Sequence, residues 1–262
     1  MEASVKTAFF LIFWMSVSCS DANFQKQSSH LTNCCLQECK DMMLVRAICD
    51  KYPNHHSDSN FVATHFIKND SFLYSVYFEN ITVDTLPCEF YKLSDLYDLR
   101  ISFVVKVTRF PDIPHFKSLK DVYYRGFDLS NTEVVIDERY SNVETLRMPL
   151  CNVTNIRFKG NFPKLRWLEF GNENGEKIQL DESLFKLDSL EHLAISGNLL
   201  GYDFSRLSNL KNLYLHDHKM TIEMQTEFVK QNNKVPYLRI SNMRGVYYYE
   251  FGKLIEASEF ER

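Results

Sequence analysis

Few residues in this 262-residue chain have the types and spacing to do chemistry. His216-Asp217-His218 offers two imidazoles one residue apart. A zinc site needs further donors at fixed geometry, and the spacing supplies none, so both histidines are expected to be structural. His55-His56 lies in a polar stretch and is expected to be solvated. Asp181-Glu182 is an acid pair in a connecting segment, where charge usually serves a hydrated face. There is no G-x-S-x-G, no H-E-x-x-H and no phosphate-binding glycine loop. The residues thus give no catalytic group, metal site or cofactor, and an enzyme is not expected. Cysteine is the remaining reactive type. Cys34, Cys35, Cys39 and Cys49 cluster near the amino terminus. Their CC-x3-C-x9-C spacing departs from the paired spacing of zinc sites. In an oxidising compartment they read as a disulfide knot. A bond between neighbours Cys34 and Cys35 would be strained, leaving 34–39 with 35–49, or 34–49 with 35–39.

Binding is the class that remains, and a repeat must position its residues. Leu190, Leu193, Ile195 and Asn198 are followed 20 residues later by Leu210, Leu213, Leu215 and His218. The template is L-x-x-L-x-L-x-x-N, the signature of a leucine-rich repeat. Its first position recurs at Leu73, Leu96, Leu119, Val143, Leu165, Leu190, Leu210 and Val235, in steps of 20 to 25 residues. Positions four and six are Val76 and Phe78, Leu99 and Ile101, Val122 and Tyr124, Leu146 and Met148. They continue as Leu168 and Phe170, Leu193 and Ile195, Leu213 and Leu215, Leu238 and Ile240. Apolar alternation at four and six makes a strand with one buried face. No unit can bury that face alone, so neighbours must stack. The fold expected is an α/β solenoid: a leucine-rich repeat horseshoe with a parallel concave sheet, about eight repeats and a disulfide-rich N-terminal cap.

The return segments carry F-x-x-L-x-x-L, as Phe90, Leu93, Leu96 and as Phe204, Leu207, Leu210. Phe116 with Leu119 gives half of it, and Phe185, Leu187, Leu190 a shortened form. In this the chain resembles, over roughly residues 60 to 245, the typical extracellular class of animal leucine-rich repeat proteins. Toll-like receptor ectodomains and secreted leucine-rich immune proteins belong to that class. The resemblance implies recognition of a protein or microbial ligand. Position nine departs from it: Ile81, Val104, Phe127, Cys151, Glu173, Asn198, His218 and Met243 stand where asparagine is usual. The asparagine ladder at the strand bends is therefore expected to be mostly absent. The amino-terminal cysteine spacing differs from the usual cap, and no carboxy-terminal cysteine cap follows. Val246 to Phe251 is expected to form one covering strand with a short helix after it.

In such a solenoid the strand residues between the buried ones face the concave side. Position five runs Tyr77, Arg100, Tyr123, Arg147, Glu169, Ala194, Tyr214, Arg239. Position three runs Ser75, Asp98, Asp121, Thr145, Trp167, His192, Asn212, Tyr237. Six of the eight central residues are Tyr or Arg, the types enriched at binding hot spots. The candidate ligand-binding residues are Tyr77, Arg100, Tyr123, Arg147, Trp167, Glu169, Tyr214 and Arg239. Tyr123, Arg147, Trp167 and Glu169 form the best single patch.

Residues 1–20 fit a cleaved signal peptide: Lys6 precedes an apolar run from Ala8 to Val17, too short to span a bilayer. A signal anchor and lipid attachment at Cys19 are the alternatives. Asn69, Asn80 and Asn152 begin N-x-S/T sequons and are candidate glycosylation sites. Residues 21–60 form the N-terminal segment and cysteine cap, 61–245 the repeat domain, and 246–262 the C-terminal covering segment. Cys88 and Cys151 are left over, Cys151 as a buried thiol at a bend. A net charge of −4 gives no basic field for nucleic acid. The expected protein is secreted and extracellular, without stable membrane insertion, and self-association is possible. The other readings are an intracellular substrate adaptor of the ubiquitin-ligase type and a fragment of a larger receptor ectodomain.

Overall fold

The computed structural model describes residues 15–18, 60–68, 71–81, 90–93, 96–172, 174 and 176–260. Cys34, Cys35, Cys39, Cys49, Cys88 and Asn69 lie outside these residues, and with them the expected disulfide cap. The described strands form two sheets, one of twelve strands and one of three. The chain runs through β1 (Met15–Ser18), β2 (Asn60–Lys68), β3 (Ser71–Ile81), β4 (Leu96–Val107) and β5 (Asp121–Phe127). It then alternates between sheets. β6 (Glu133–Ile136) enters the short sheet, β7 (Thr145–Met148) the long one, β8 (Asn155–Phe158) the short and β9 (Trp167–Gly171) the long. β10 (Gln179–Leu180) completes the short sheet, and β11 (His192–Ser196) and β12 (Asn212–His216) extend the long one. A helix, α1 (Ile222–Gln231), precedes β13 (Tyr237–Ser241), β14 (Gly245–Glu250) and β15 (Lys253–Glu259).

From β3 to β13 the long sheet is parallel, and its register follows the sequence period. Val76 pairs Leu99, Leu99 pairs Val122, and Val122 pairs Leu146. Leu146 pairs Leu168, and Leu193, Leu213 and Leu238 continue the row. Every member of that row is at most 1% exposed. A one-residue slip would turn the whole row to solvent, which is why the register is strongly specified. The short sheet adds Val134, Ile136, Ile156 and Phe158 to the same apolar core. Phe90, Leu93 and Leu96, and likewise Phe204, Leu207 and Leu210, are all buried, so the return-segment motif is core. Each such side chain contributes roughly 1.5–3 kcal/mol when covered by its neighbours.

One edge of the strands carries charges of alternating sign at position two: Lys120, Glu144, Arg166, Glu191 and Lys211. Lys120 pairs with Glu144, and both Arg166 and Lys211 pair with Glu191. The backbone bridges beside them, Glu144 N–H to Lys120 O and Lys211 N–H to Glu191 O, are 2.8 Å each. α1 replaces the short-sheet strand in the last crossover. Thr221 Oγ1 caps it by accepting from Met224 N–H, and Asn232 closes it by donating to Phe228 O. Asn232 also accepts from Phe204 N–H at 2.7 Å, tying the helix end to the preceding connection.

Two expectations are corrected. Lys253 to Glu259 is a strand, antiparallel to β14, and not a helix. β14 leaves an open sheet edge beside it, and a strand satisfies that edge where a helix cannot. Asn198 at position nine accepts from Leu200 N–H at 3.1 Å as a bend residue should, but other bend residues sit one place earlier than expected. Position eight reads Gly126, Leu150, Asn172, Gly197, Asp217 and Asn242 from β5 onward. Asn172, Asp217 and Asn242 are buried, and each accepts from the backbone N–H two residues on at 2.8–2.9 Å. Gly126, Leu150 and Gly197 take positive φ instead. The turn is thus made either by a side chain that caps the backbone or by a left-handed residue.

At the other end β1, within the expected signal segment, lies antiparallel along β2. Cleavage after Ser20 would leave β2 as the edge strand. Among the described residues no helix is long and apolar enough to cross a membrane.

Candidate binding face

The long sheet has one face against the core, and the other carries positions three and five of each strand. Parallel pairing stacks these side chains in rows across the strands. The row at position five is continuous: Tyr77 beside Arg100, Arg100 beside Tyr123, Tyr123 beside Arg147, Arg147 beside Glu169. Ala194, Tyr214 and Arg239 complete it. All eight candidate residues therefore lie on one face, but they divide into three clusters.

The first cluster is Tyr77, Asp98 and Arg100. The Tyr77 hydroxyl donates to Asp98 Oδ2 at 2.9 Å, and Arg100 lies 3.5 Å from the same oxygen. The Arg100 guanidinium sits 4.8 Å from the centre of the Tyr77 ring. Burial holds the Asp98 carboxyl above its ordinary range, while the Tyr77 hydroxyl and Arg100 oppose that shift. Burial, then the Asp98 charge, raises the Tyr77 phenol, so it remains a neutral donor. The second cluster is Tyr123, Arg147 and Glu169. Arg147 lies 5.6 Å from the Tyr123 ring centre and its Nε donates to Glu169.

Trp167 belongs to the third cluster and not to the second. Its ring stacks on His192 at 4.9 Å and lies 6.2 Å from Tyr214, nearly coplanar in tilt with both. Tyr214 meets Tyr237 at 6.3 Å, and Tyr237 meets Tyr248 at 6.2 Å. Arg239 lies over the Tyr248 ring at 5.8 Å. Asn212 fixes the far side of the histidine, 3.0 Å from His192 Nδ1. Burial, helped by the neighbouring phenols Tyr248 and Tyr214, raises the Tyr237 phenol. The result is a run of Trp167, His192, Tyr214, Tyr237 and Tyr248 over five adjacent strands, β9 to β14. All five are half-buried, with surface still open.

A hollow of about 250 Å³ opens beside this run. It exists because Ala194 is small between Glu169 and Tyr214, and because Gly171, Ser196 and Ser241 are small at position seven. Glu169, His216 and Arg239 are its polar lining residues with ionisable groups. Gly171 is required there by close approach: a Cβ would lie 2.4 Å from Ser196 O.

His192, Tyr237 and Tyr248 were not among the residues expected to bind. Position three does contain the first two, and Tyr248 comes from the Tyr247-Tyr248-Tyr249 run. What sequence cannot state is the χ angles that bring position three of one strand against position five of another. His216 is exposed and His218 half-buried, their rings 6.4 Å apart, and among the described residues no third metal-binding group joins them. Cys151 is buried, its thiol 3.4 Å from the carbonyls of Tyr124 and Pro149. Burial pushes that thiol up to about 12. Asn152 is half-buried, with Nδ2 3.4 Å from an Asp128 oxygen, and Asn80 lies in β3. Comparison with protein-family models, curated proteins and solved structures gives no match to this chain.

Proposed function

We propose that the chain is a secreted leucine-rich repeat solenoid of the extracellular class. In this reading the exposed face of the long sheet is the concave face of a horseshoe, and it binds a protein or microbial-surface ligand. The protein acts by recognition and not by catalysis, in innate immunity or cell adhesion, and its cysteines cap the first repeat. What supports the solenoid is the period of 20 to 25 residues, carried strand by strand into a parallel register.

The observation that carries the binding site is the aromatic run beside the Ala194 hollow, which Tyr214 joins to it. Tyr and Trp give large contact area for few frozen rotors, and such residues dominate binding energy. The hollow is smaller than the roughly 300–1,000 Å³ of small-molecule pockets. It suits one projecting side chain of a protein ligand, with the aromatic run as the contact on one side of it.

The test is binding of the tagged, secreted chain to cell surfaces, extracellular domains and microbial walls. Trp167→Ala/Tyr214→Ala and Tyr123→Ala/Arg147→Ala run beside the wild type. Loss of binding in the first pair, about a hundredfold for two hot-spot aromatics, places the ligand on the run. Equal binding by all three proteins would refute the exposed face as the site.

A further inference from the structure

Of the rings in the aromatic run, His192 is the one of a type that gains a proton between pH 8 and pH 5. It stands at position three of β11, with the Trp167 ring at 4.9 Å, inclined by 20°, and the Asn212 side chain on the neighbouring strand. Asn212 Nδ2 lies 3.0 Å from His192 Nδ1. An amide nitrogen only donates, so Nδ1 is the acceptor here and the neutral ring carries its proton on Nε2. The Trp167 Nε1 is buried and has no hydrogen-bond partner. No side-chain hydrogen bond anchors the indole, so a change at His192 reaches it through the stack.

The charged groups around His192 are already paired. Glu169 and Tyr214 are its diagonal neighbours on β9 and β12, since both pair with Ala194. Glu169 accepts from Arg147. Glu191, the residue before His192, is bound by Arg166 and Lys211. Among the described residues in these positions, no unpaired carboxylate is left to balance a proton on the imidazole.

We infer that His192 is an acid-sensitive element of the exposed face, which holds its ligand at neutral pH and releases it in mild acid. Protonation has two local consequences. Nδ1 becomes a donor facing the Asn212 amide nitrogen, so the amide must turn its Oδ1 to the ring. The imidazolium is also drawn to the face of the Trp167 indole. The run then carries a positive charge held between Trp167 and Asn212. A ligand that covers the run in acid has to bury that charge, and a charge costs far more to bury than a neutral ring. Affinity is therefore full while His192 is neutral and lost as falling pH charges it. The release step rests on the aromatic run being the ligand site; the change at His192 and Trp167 does not.

The experiment reads Trp167 itself. In the chain cleaved after Ser20 it is the only tryptophan, because Trp14 lies in the removed segment. A protonated imidazole against an indole quenches its emission, so fluorescence reports His192 without any ligand. Emission is expected to fall between pH 8 and pH 5 in the wild type and to stay level in His192→Gln. Asn212→Asp places a carboxylate opposite Nδ1, favours the charged ring, and is expected to move the fall to higher pH. Circular dichroism at both ends of the range verifies the fold of each variant. In a second arm, the cell or microbial surfaces that retain the wild type at pH 7.5 are probed again at pH 5.5. The wild type is expected to bind about tenfold more weakly in acid. In His192→Gln the ratio of the two affinities is expected to be near one, whatever its affinity at pH 7.5. Emission that ignores pH overturns the inference. So does a fall that persists in His192→Gln, a fall that Asn212→Asp leaves in place, or an affinity ratio equal in wild type and His192→Gln. A chain that no surface retains refutes the run as a ligand site and release with it, while the fluorescence separately decides the change at His192.

Discussion

Replacing Asn242 with alanine tests whether the position-eight residues hold the bends together. Asn242 is 3% exposed and makes three side-chain hydrogen bonds. Its Oδ1 accepts from Arg244 N–H at 2.9 Å and from Gly245 N–H at 3.3 Å. Its Nδ2 donates to Gln225 Oε1 at 2.9 Å, and Gln225 Nε2 donates to the Tyr249 hydroxyl at 2.5 Å. One amide therefore joins the turn after β13 to α1 and, through it, to β14. In Asn242→Ala the Arg244 N–H can turn to water, because Arg244 is exposed. Gly245 and Gln225 are buried, so two polar groups lose their partners. At about 1–3 kcal/mol for each buried unsatisfied group, the loss is about 2–6 kcal/mol. For a chain of this size that lowers Tm by about 4–24 °C. Asn242→Asp keeps the two backbone acceptances and loses the donation to Gln225, so it should fall between wild type and alanine. Urea unfolding followed by circular dichroism measures both. A change below about 0.5 kcal/mol in Asn242→Ala, the scatter of ordinary surface substitutions, would refute the bend argument.

Three further outcomes are expected. Gly171→Ala forces β9 and β11 apart, because its Cβ would lie 2.4 Å from Ser196 O and 2.5 Å from Ser196 N; a loss of about 1–3 kcal/mol in the same unfolding assay is expected. Cys151 should resist a thiol-alkylating reagent at pH 8 in the folded protein and react only on unfolding. Its raised pKa also makes stability fall as pH climbs from the ordinary thiol range toward about 12, since the unfolded thiol ionises first. The Glu191 carboxyl is held below its ordinary range by the Lys211 hydrogen bond and then by the charges of Lys211 and Arg166. Its contribution is therefore present above the ordinary carboxylate range and lost as pH falls, and Glu191→Gln should flatten the acid limb of a stability–pH curve. High salt should shrink the same difference.

The strand register was legible because it rests on burial of alternate residues. Leu99, Val122, Leu146 and their successors cannot face water, so their spacing announces which residues pair. The bend chemistry was legible in part: Asn198 at position nine caps the backbone, while Asn172, Asp217 and Asn242 do so one position earlier. Sequence pattern identifies a polar residue near a strand end, and both Asn198 and Asn172 qualify. Both accept from the backbone N–H two residues on, and the path of the backbone decides that Asn172 is fully buried and Asn198 only half-buried. The segment after Phe251 was misread for a related reason. Lys253 to Glu259 has no strong periodicity of its own, and the open edge of β14 decides its conformation.

The exposed face divides along the same line. Its residue types and their order across the strands follow from sequence alone, since an in-register parallel sheet places equivalent positions side by side. The clusters do not follow from it. Trp167 turns toward His192 and Tyr214 and leaves Arg147 to Tyr123 and Glu169, because side-chain rotamers are chosen by contacts among residues at least 20 positions apart. The hollow beside Ala194 is a matter of tertiary structure too. A small residue makes a cavity only when larger neighbours stand around it, and here Glu169, Tyr214 and Arg239 arrive from three other strands. Sequence determined the row of buried side chains because water is the same everywhere along the chain. The clusters on the exposed face were decided in three dimensions because their contacts are specific to the partners that folding brings together.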